Sequence, residues 1–486
     1  MRICPSGFRE YDARWRYPED IDLDGMTAVG MGLGTQMARR NVGRKIIVGH
    51  DHRSYSPAMK QALSDGLVQT GAQVCDIGMC LSPMAYFAQF HLDVDAAVMV
   101  TASHNPNGWT GIKVGFDRPC THGGDEMAEL RDIILGRDFV ANDGGKITPV
   151  SGVSDAYLDD LVANDTITRP LRVVCATGNG TAGAFAPTLL RRLGVDVVER
   201  HCRLDHRFPH YNPNPEALEM LDDMGKAVRE SRSDFGIGLD GDGDRIGIVD
   251  ETGEAVFADK LGLLLARDLA VAHPDAHFLV DVKSTGLFAI DTVLSSCGAT
   301  VEYCKTGHSH VKQKLRSSGA LAAFEKSGHI YFGPPVGRGY DCALRAVVAL
   351  CRLMDHQPGS CLSDIVAGLP SSWCSPTLSP ACPDDQKYTV VERLTAVFRQ
   401  MQLRGDTIAG QKIVDILTAN GARVQLESGS WALVRASSNT PNLVVVCESF
   451  TSKAHLHTVF TDFDRILRQE PVIGVYDQAF AALTQP

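Results

Sequence analysis

Apolar and polar positions alternate along this chain in blocks that predict strands and helices in regular succession. Lys45-Ile-Ile-Val-Gly49 is a short apolar run, which predicts a buried strand. Residues 58–68 repeat apolar positions at helical spacing, and Ala72-Gln-Val-Cys-Asp-Ile77 returns to a strand pattern. Strand, helix, strand predicts a βαβ unit and a mostly parallel sheet. The succession recurs with Leu171-Arg-Val-Val-Cys175, a helix over 182–193 and a strand over 195–198. It recurs again with His277-Phe-Leu-Val-Asp-Val282, a helix over 286–296 and a strand over 299–303. The Pro- and Ser-rich passage 371–380 reads as a linker. After it, a helix over 387–401 and the strands Ser430-Trp-Ala-Leu-Val434 and Leu443-Val-Val-Val-Cys447 predict a smaller α+β domain.

Length agrees with several domains, because 486 residues exceed what one core serves at ~100–150 residues per domain. A net charge of −11 disfavours nucleic acid, so an anionic ligand has to be held by a local cluster of Arg and Lys. No run approaches the ~18 apolar residues of a membrane span, and Arg2, Arg9 and Glu10 argue against a signal peptide. The 14 cysteines are scattered with no C-x-x-C pair, the usage of reduced thiols in a cytoplasmic protein.

Four stretches carry candidate chemistry. Gly178-Asn-Gly180-Thr-Ala-Gly183 has the form G-x-G-x-x-G between a strand and a helix, with Glu199 ending the next strand. It supports a nicotinamide-dependent oxidoreductase, or a tight turn that needs glycine for its backbone. Asp240-Gly-Asp242-Gly-Asp244 converges three carboxylates in a strand–loop–strand turn. Arg245 stands where an EF-hand needs glycine, so Glu251 at the twelfth position does not complete one. Hard oxygen ligands at this density suit Mg²⁺, the alternative being an acidic surface turn. His308-Ser-His310 lacks a third ligand at zinc spacing and reads as one functional and one incidental histidine. Thr101-Ala-Ser-His-Asn-Pro106 places Ser103 at the end of an apolar strand. Neither a G-x-S-x-G elbow nor a Walker loop occurs.

Together these segments resemble the α-D-phosphohexomutase superfamily, whose members move a phosphoryl group between the 1- and 6-positions of a hexose. The resemblance runs in family order through Phe8-Arg-Glu-Tyr-Asp-Ala-Arg14, Thr101–Pro106, Gly111-Ile-Lys113, Phe208-Pro, Pro213-Asn-Pro215 and Asp240–Arg245. It continues through Asp281-Val-Lys283, Thr306-Gly-His308-Ser, Glu325-Lys-Ser-Gly-His329, Gly339-Tyr-Asp341 and Arg435-Ala-Ser-Ser-Asn-Thr-Pro441. It implies four domains around a central cleft: three similar α/β domains (1–150, 151–253 and 254–371) and a C-terminal α+β domain (372–486). It implies that Ser103 carries the phosphoryl group. Asp240, Asp242 and Asp244 would hold Mg²⁺ with Ser103. Arg245 and Lys113 would be cations at the reacting phosphate. Lys113 and His308 would serve proton transfer with Arg14 assisting, while His104 shapes the serine loop. Glu325, Ser327 and His329 would contact the sugar and Lys283 the sugar or its phosphate. Arg435, Ser437, Ser438 and Asn439 would hold the non-reacting phosphate.

Departures bear on the substrate. Trp15 and Phe324 stand where the family usually has glycine, Thr110 where asparagine is common, and Asn439 where threonine is usual. Lys326 fills the slot that carries methionine in many mannose/glucose enzymes and glutamine in glucosamine enzymes. The Ser-Gly-His and Arg-Ala-Ser stretches are most similar to the bifunctional phosphomannomutase/phosphoglucomutase branch. The expected enzyme is a mutase of mannose and glucose phosphates working through a hexose 1,6-bisphosphate, as monomer or homodimer. Its products would feed nucleotide-sugar and polysaccharide synthesis. The alternatives are a phosphoglucosamine mutase and the oxidoreductase of the 178–183 loop.

Overall fold

The first third of the chain folds as a six-stranded sheet of β1 (Ala13–Arg16), β2 (Lys45–His50), β3 (Gln73–Met79), β4 (Ala96–Val100), β5 (Trp109–Gly115) and β6 (Lys146–Pro149). The order is β1-β5-β4-β2-β3-β6, with β2 parallel to β3 and β4, and β5 antiparallel to β4 and β1. The central strand β4 is buried throughout, as its unbroken Ala-Ala-Val-Met-Val requires. Helices Leu23–Arg39 and Ser56–Gln69 supply Val29, Leu33, Leu63 and Leu67 to the core on one face. The second block forms a five-stranded sheet of β7 (Arg172–Ala176), β8 (Asp196–Arg200), β9 (Phe235–Leu239), β10 (Ile246–Asp250) and β11 (Ala255–Val256), ordered β11-β10-β9-β7-β8.

The computed structural model describes residues 1–163, 165–438 and 440–480 and the strand at 483–484. They divide into two compact units. The first comprises Met1–Ala258, His308–Ala322 and Ser327–Ser363; the second comprises Asp259–Gly307, Ala323–Lys326 and Asp364–Pro486. Among the described residues no helix is long and apolar enough to cross a membrane.

In the second unit, β12 (His277–Asp281) and β13 (Thr300–Cys304) pair in parallel. The single helix expected over 286–296 is two, Leu287–Ile290 and Thr292–Ser296. Asp291 leaves the helical conformation between them, and its carboxylate caps the second by accepting from the N–H of Val293 (3.0 Å) and Leu294 (2.9 Å). The helix expected over 182–193 likewise begins as a 3-10 turn, Thr181–Ala184. The α-helix proper starts at Ala186, with Pro187 in its first turn where no N–H is needed.

The C-terminal strands Ala422–Leu426, Trp431–Ala436 and Leu443–Ser449 pair antiparallel. Every second residue (Ala432, Val434, Ala436, Val445, Cys447) enters one core with helices Lys387–Arg404 and Lys453–Leu467. The alternate set, Trp431, Leu433 and Arg435, faces the other way. The passage 371–380 is not a free connection, because Trp373 and Cys374 pair with Ser449 and Glu448 of this sheet.

Trp15 replaces an expected glycine without disturbing its strand. It is fully buried and its Nε1 donates to the carbonyl of Cys4 at 2.9 Å. Its ring fits because Gly7 has no side chain: a Cβ there would lie 1.9 Å from Trp15 Nε1.

One buried histidine makes the fold pH-sensitive. His122 follows β5, is almost fully buried, and its Nε2 lies 2.9 Å from Gln36 Oε1. Burial, above all, lowers its pKa to about 4. The neutral form is native, so the unfolded chain binds the extra proton between pH 6.5 and 4 and stability falls as pH falls through that window. Urea unfolding is expected to show about 2 kcal/mol less stability from this residue at pH 5 than at pH 7.5. A His122→Gln variant should lack that part of the pH dependence.

Candidate active site

The loop 240–245 joins the hairpin strands β9 and β10, whose register pairs Leu239 with Ile246. Asp240, Asp242 and Asp244 are all fully buried, which excludes an acidic surface turn. One carboxylate oxygen from each lies within 4.8 Å of the others. Asp240 Oδ1 accepts from the N–H of Asp244 (3.0 Å) and Arg245 (3.2 Å). Ser82 Oγ and Lys113 Nζ donate to Asp242 Oδ2 at 2.5 and 2.7 Å, and the same ammonium pairs with Asp244. Asp242 Oδ1 and Asp244 Oδ1 are buried and have no hydrogen-bond partner among the described residues.

Burial, and then the charges of Asp244 and Asp242, push Asp240 well above the carboxylate range. Burial opposes ionisation of Asp242 as well, but Lys113 outweighs it and holds Asp242 low. Burial works against the Lys113 charge too, and Asp242 and Asp244 prevail, raising its pKa well above the ordinary lysine value. One ammonium does not balance three buried carboxylates. The unpartnered oxygens and the hard donor set fit a divalent cation. Glu251 is no part of this set; it bonds the hydroxyl and N–H of Ser363.

Ser103 meets this nest from the end of β4. Its hydroxyl donates to Asp240 Oδ2 at 2.8 Å and lies 3.3 Å from His104 Nδ1. Its backbone is left-handed, φ +50, a conformation that costs a non-glycine residue about 1 kcal/mol or more. Three contacts hold it there. Thr101 Oγ1 accepts from Ser103 N–H at 2.9 Å, Arg53 Nη2 donates to the Ser103 carbonyl at 3.0 Å, and the same nitrogen reaches the Asn105 carbonyl at 2.6 Å. Gly241 lets the two loops touch, since a Cβ there would lie 2.4 Å from the Ser103 carbonyl oxygen.

Around this nest, Arg14 pairs with Asp12 (2.9 Å) and Arg245 Nε donates to His329 Nε2 (2.9 Å). His329 Nδ1 is 3.1 Å from Asp341 Oδ2, and the buried Lys312 is 2.6 Å from Asp341 Oδ1. His329, expected to contact the sugar, is thus joined to Arg245 of the 240–245 loop. His308 Nδ1 lies 3.1 Å from Thr121 Oγ1, and its Nε2 is buried with no hydrogen-bond partner among the described residues. Burial first, then Lys312, keeps His308 neutral, its pKa well below the ordinary value. Burial, then Arg245 and Arg14, does the same for His104. His310 turns away to Glu10, its Nε2 2.8 Å from Oε1. Ser327 is buried.

In the second unit, Asp281 at the end of β12 gathers three loops. It accepts from Ser284 Oγ (2.6 Å), Thr306 Oγ1 (2.8 Å) and Lys326 N–H (3.2 Å). Between these anchors stand Lys283 and Glu325, both buried; Glu325 Oε2 accepts from Gly307 N–H at 3.3 Å. Lys326 Nζ turns inward, 3.3 Å from Asp259 Oδ2 and 3.2 Å from Cys374 Sγ. Phe324 stacks on Phe288 at 5.8 Å. Arg435 Nη1 donates to the Ala436 carbonyl at 2.8 Å, and its buried Nε has no partner among the described residues. Ser437 Oγ lies 2.8 Å from Thr440 Oγ1, and Ser438 follows it; Asn439 lies outside the described residues.

The glycine loop 178–183 is structural. The amides of Asn179, Gly180, Thr181 and Gly183 donate to the carbonyls of His201 (2.7 Å), Thr177 (2.8 Å), Gly241 (3.0 Å) and Gly180 (3.0 Å). Amides used in this way are not available to a pyrophosphate. The Thr181 bond makes the loop a support for the aspartate nest.

Comparison with known proteins gives the family. Models of the three α/β/α domains of phosphoglucomutase/phosphomannomutase match residues 5–141, 155–253 and 257–372, and the model of the C-terminal domain matches 381–466. The chain belongs to the phosphoglucomutase/phosphomannomutase family. It is a phosphohexomutase, an isomerase, of the four-domain architecture. The phosphoglucomutase of Neisseria gonorrhoeae is 32% identical over 467 residues, 96% of this chain and 97% of that protein. The phosphomannomutase/phosphoglucomutase of Pseudomonas aeruginosa is 31% identical over 455 residues, covering 93% and 94%. A crystal structure of a family protein from Burkholderia thailandensis superposes with a TM-score of 0.87 at 30% identity, over 98% of this chain and 100% of that one.

Sequence reasoning missed the support of this phosphohexomutase's serine loop. Asp51 and Arg53, both essentially inaccessible, form an ion pair, and Asp51 also accepts from Ser56 Oγ (2.5 Å) and Ala102 N–H (3.3 Å). The available signal was two charges directly after the apolar strand β2, at the carboxyl end of a parallel sheet where sites form. Arg53→Met is expected to cost about 3–5 kcal/mol by leaving Asp51 buried and unpaired. Adding Asp51→Asn should restore at least half of that stability in thermal melts. Mutase turnover should stay low in both variants, because the Ser103 carbonyl has lost its donor.

Proposed function

We propose that this phosphohexomutase interconverts the 1- and 6-phosphates of mannose and glucose through a phosphorylated Ser103 and a hexose 1,6-bisphosphate. The observation that carries this reading is the Ser103 hydroxyl, 2.8 Å from Asp240 in a cluster of three buried aspartates of which only Asp242 and Asp244 pair with the Lys113 ammonium. Such a serine is set to exchange a phosphoryl group against concentrated charge.

In the first half-reaction the substrate's free hydroxyl oxygen attacks the phosphorus on Ser103. The new O–P bond forms as the P–Oγ bond of Ser103 breaks, and the hydroxyl proton leaves to a base. His308 is suited to receive it, being neutral and having no hydrogen-bond partner for Nε2 among the described residues. Lys113 is protonated and bound to Asp242 and Asp244, so it acts as a cation toward the transferring oxygens rather than as a base. Arg245, oriented by His329, supplies a second cation. Asp240, Asp242 and Asp244, with Ser103, would hold Mg²⁺, which supplies charge neutralisation as the phosphoryl group departs. After the bisphosphate turns over, its other phosphate is returned to Ser103 by the reverse of the same steps.

Toward the rest of the substrate, Glu325 accepts hydroxyls and Lys283 and Arg435 meet the sugar phosphate, with Ser437 and Ser438 completing the anion contacts. Ser327 belongs to the same sugar-facing set. Names of relatives acting on mannose and glucose phosphates support those sugars over glucosamine. None of the 14 cysteines is in a disulfide, which supports a reducing cytoplasm for this enzyme.

Phosphorus NMR tests this proposal. Protein with Mg²⁺ and a trace of glucose 1,6-bisphosphate should convert mannose and glucose 1-phosphates to 6-phosphates, and glucosamine 1-phosphate far more slowly. Ser103→Ala should lower turnover by about a thousandfold or more. Removing the metal with EDTA should stop conversion, and added Mg²⁺ should restore it. A primed wild type that converts none of the three sugars would refute the assignment.

A further inference from the structure

The loop Val282–Gly286, which carries Lys283, is held by two charged side chains from the C-terminal sheet. Arg423 Nη1 donates to the carbonyls of Val282 (2.8 Å) and Ser284 (2.7 Å), the residues on either side of Lys283. Glu448 accepts from Thr285 Oγ1 (2.6 Å), from Gly286 N–H (2.8 Å) and from Trp431 Nε1 (2.6 Å). The Arg423 guanidinium lies 3.7 Å from the Trp431 ring centroid and 4.3 Å from that of Tyr303. Tyr303 in turn donates to the Thr285 carbonyl at 2.8 Å. Both Arg423 and Glu448 are buried.

Strand register explains how they come together. Arg423 is opposite Leu433, and Glu448 is opposite Trp431. Arg423, Trp431, Arg435 and Glu448 therefore share one face of the sheet, the face away from the C-terminal helices. Arg423 is spent on the two carbonyls beside Lys283, and Glu448 on Thr285 and Gly286 at the end of the same loop as well as on Trp431.

We propose that Arg423 and Glu448 are positioning residues for Lys283, fixing it within the compact unit that also carries Arg435. This rests on the reading of Lys283 and Arg435 as substrate contacts. Truncating a buried side chain that bonds two carbonyls leaves those carbonyls unpaired, and the loop relaxes. The ammonium of Lys283 then loses its fixed approach to the substrate while the phosphoryl-transfer groups of the first unit are untouched. The defect should appear in substrate affinity and not in the chemical step.

The test is steady-state kinetics of the full-length enzyme on glucose 1-phosphate with Mg²⁺ and glucose 1,6-bisphosphate. Variants are Arg423→Gln, Glu448→Gln, Lys283→Ala and the doubles of each with Lys283→Ala. Arg423→Gln is expected to raise KM about tenfold or more with kcat within about threefold of wild type. Glu448→Gln should do the same more weakly, and Arg423→Lys should recover part of the loss. In the Lys283→Ala background neither change should add further to KM. Additive effects, or a fall in kcat with KM unchanged, would overturn the clamp while leaving Lys283 as a substrate contact. Lys283→Ala without any KM change removes the substrate reading and the proposal with it. Loss of the folded far-UV signal in both Arg423→Gln and Glu448→Gln would also overturn it, since the pair would then be a brace for folding.

Discussion

Three carboxylates cannot be taken out of water together unless their charge is answered. Asp240, Asp242 and Asp244 are fully buried, and the first unit is arranged around that constraint. Lys113 answers from β5, Ser82 from the helix after β3, and the backbone amides of Asp244 and Arg245 from the hairpin itself. The residues that answer come from both the six-stranded and the five-stranded sheet, so this charge ties the two together. Ser103 is held in a left-handed backbone against the same nest by a second buried ion pair. The strain of the serine and the desolvation of the aspartates are local costs that place one hydroxyl against concentrated charge.

Much of this was legible in the sequence because it follows short-range rules. Buried strands show as apolar runs, and β2, β4 and β12 fall where such runs occur. The three aspartates carry their chemistry in their type and spacing, and the resemblance to a known family added Ser103 and Lys113, so all five could be named before any geometry. Other features depend on partners distant in sequence. Asp51 and Arg53 are two ordinary charges until Ala102 and Ser103 are placed beside them. Trp15 looks like an intrusion until Gly7 is seen to make room for it. The break at Asp291 follows a local rule that helical periodicity overlooks, since an aspartate caps a new helix more favourably than it extends an old one.

The 178–183 loop shows the converse. Its glycines have the spacing of a nucleotide fingerprint because both structures need the same tight turn from strand to helix. What separates them is where the amides go, and here they go to His201, Thr177, Gly241 and Gly180. A glycine pattern reports a backbone shape; the ligand is decided by which donors that shape leaves unspent.

Lys326 takes the same logic to the substrate. It occupies the slot that sorts sugars in the resemblance, yet its ammonium is buried against Asp259 and Cys374. Burial opposes that charge, but Asp259 and Cys374 outweigh it and raise the lysine's pKa, while burial drives the Cys374 thiol up to about 11. Turning Lys326 toward a sugar would leave Asp259 without that partner in a buried site, at a cost of several kcal/mol. The slot is therefore committed to packing, and its identity does not report the sugar. Mannose and glucose differ only at C2, and telling them apart needs a contact made there; a lysine held by Asp259 and Cys374 is not available to make it.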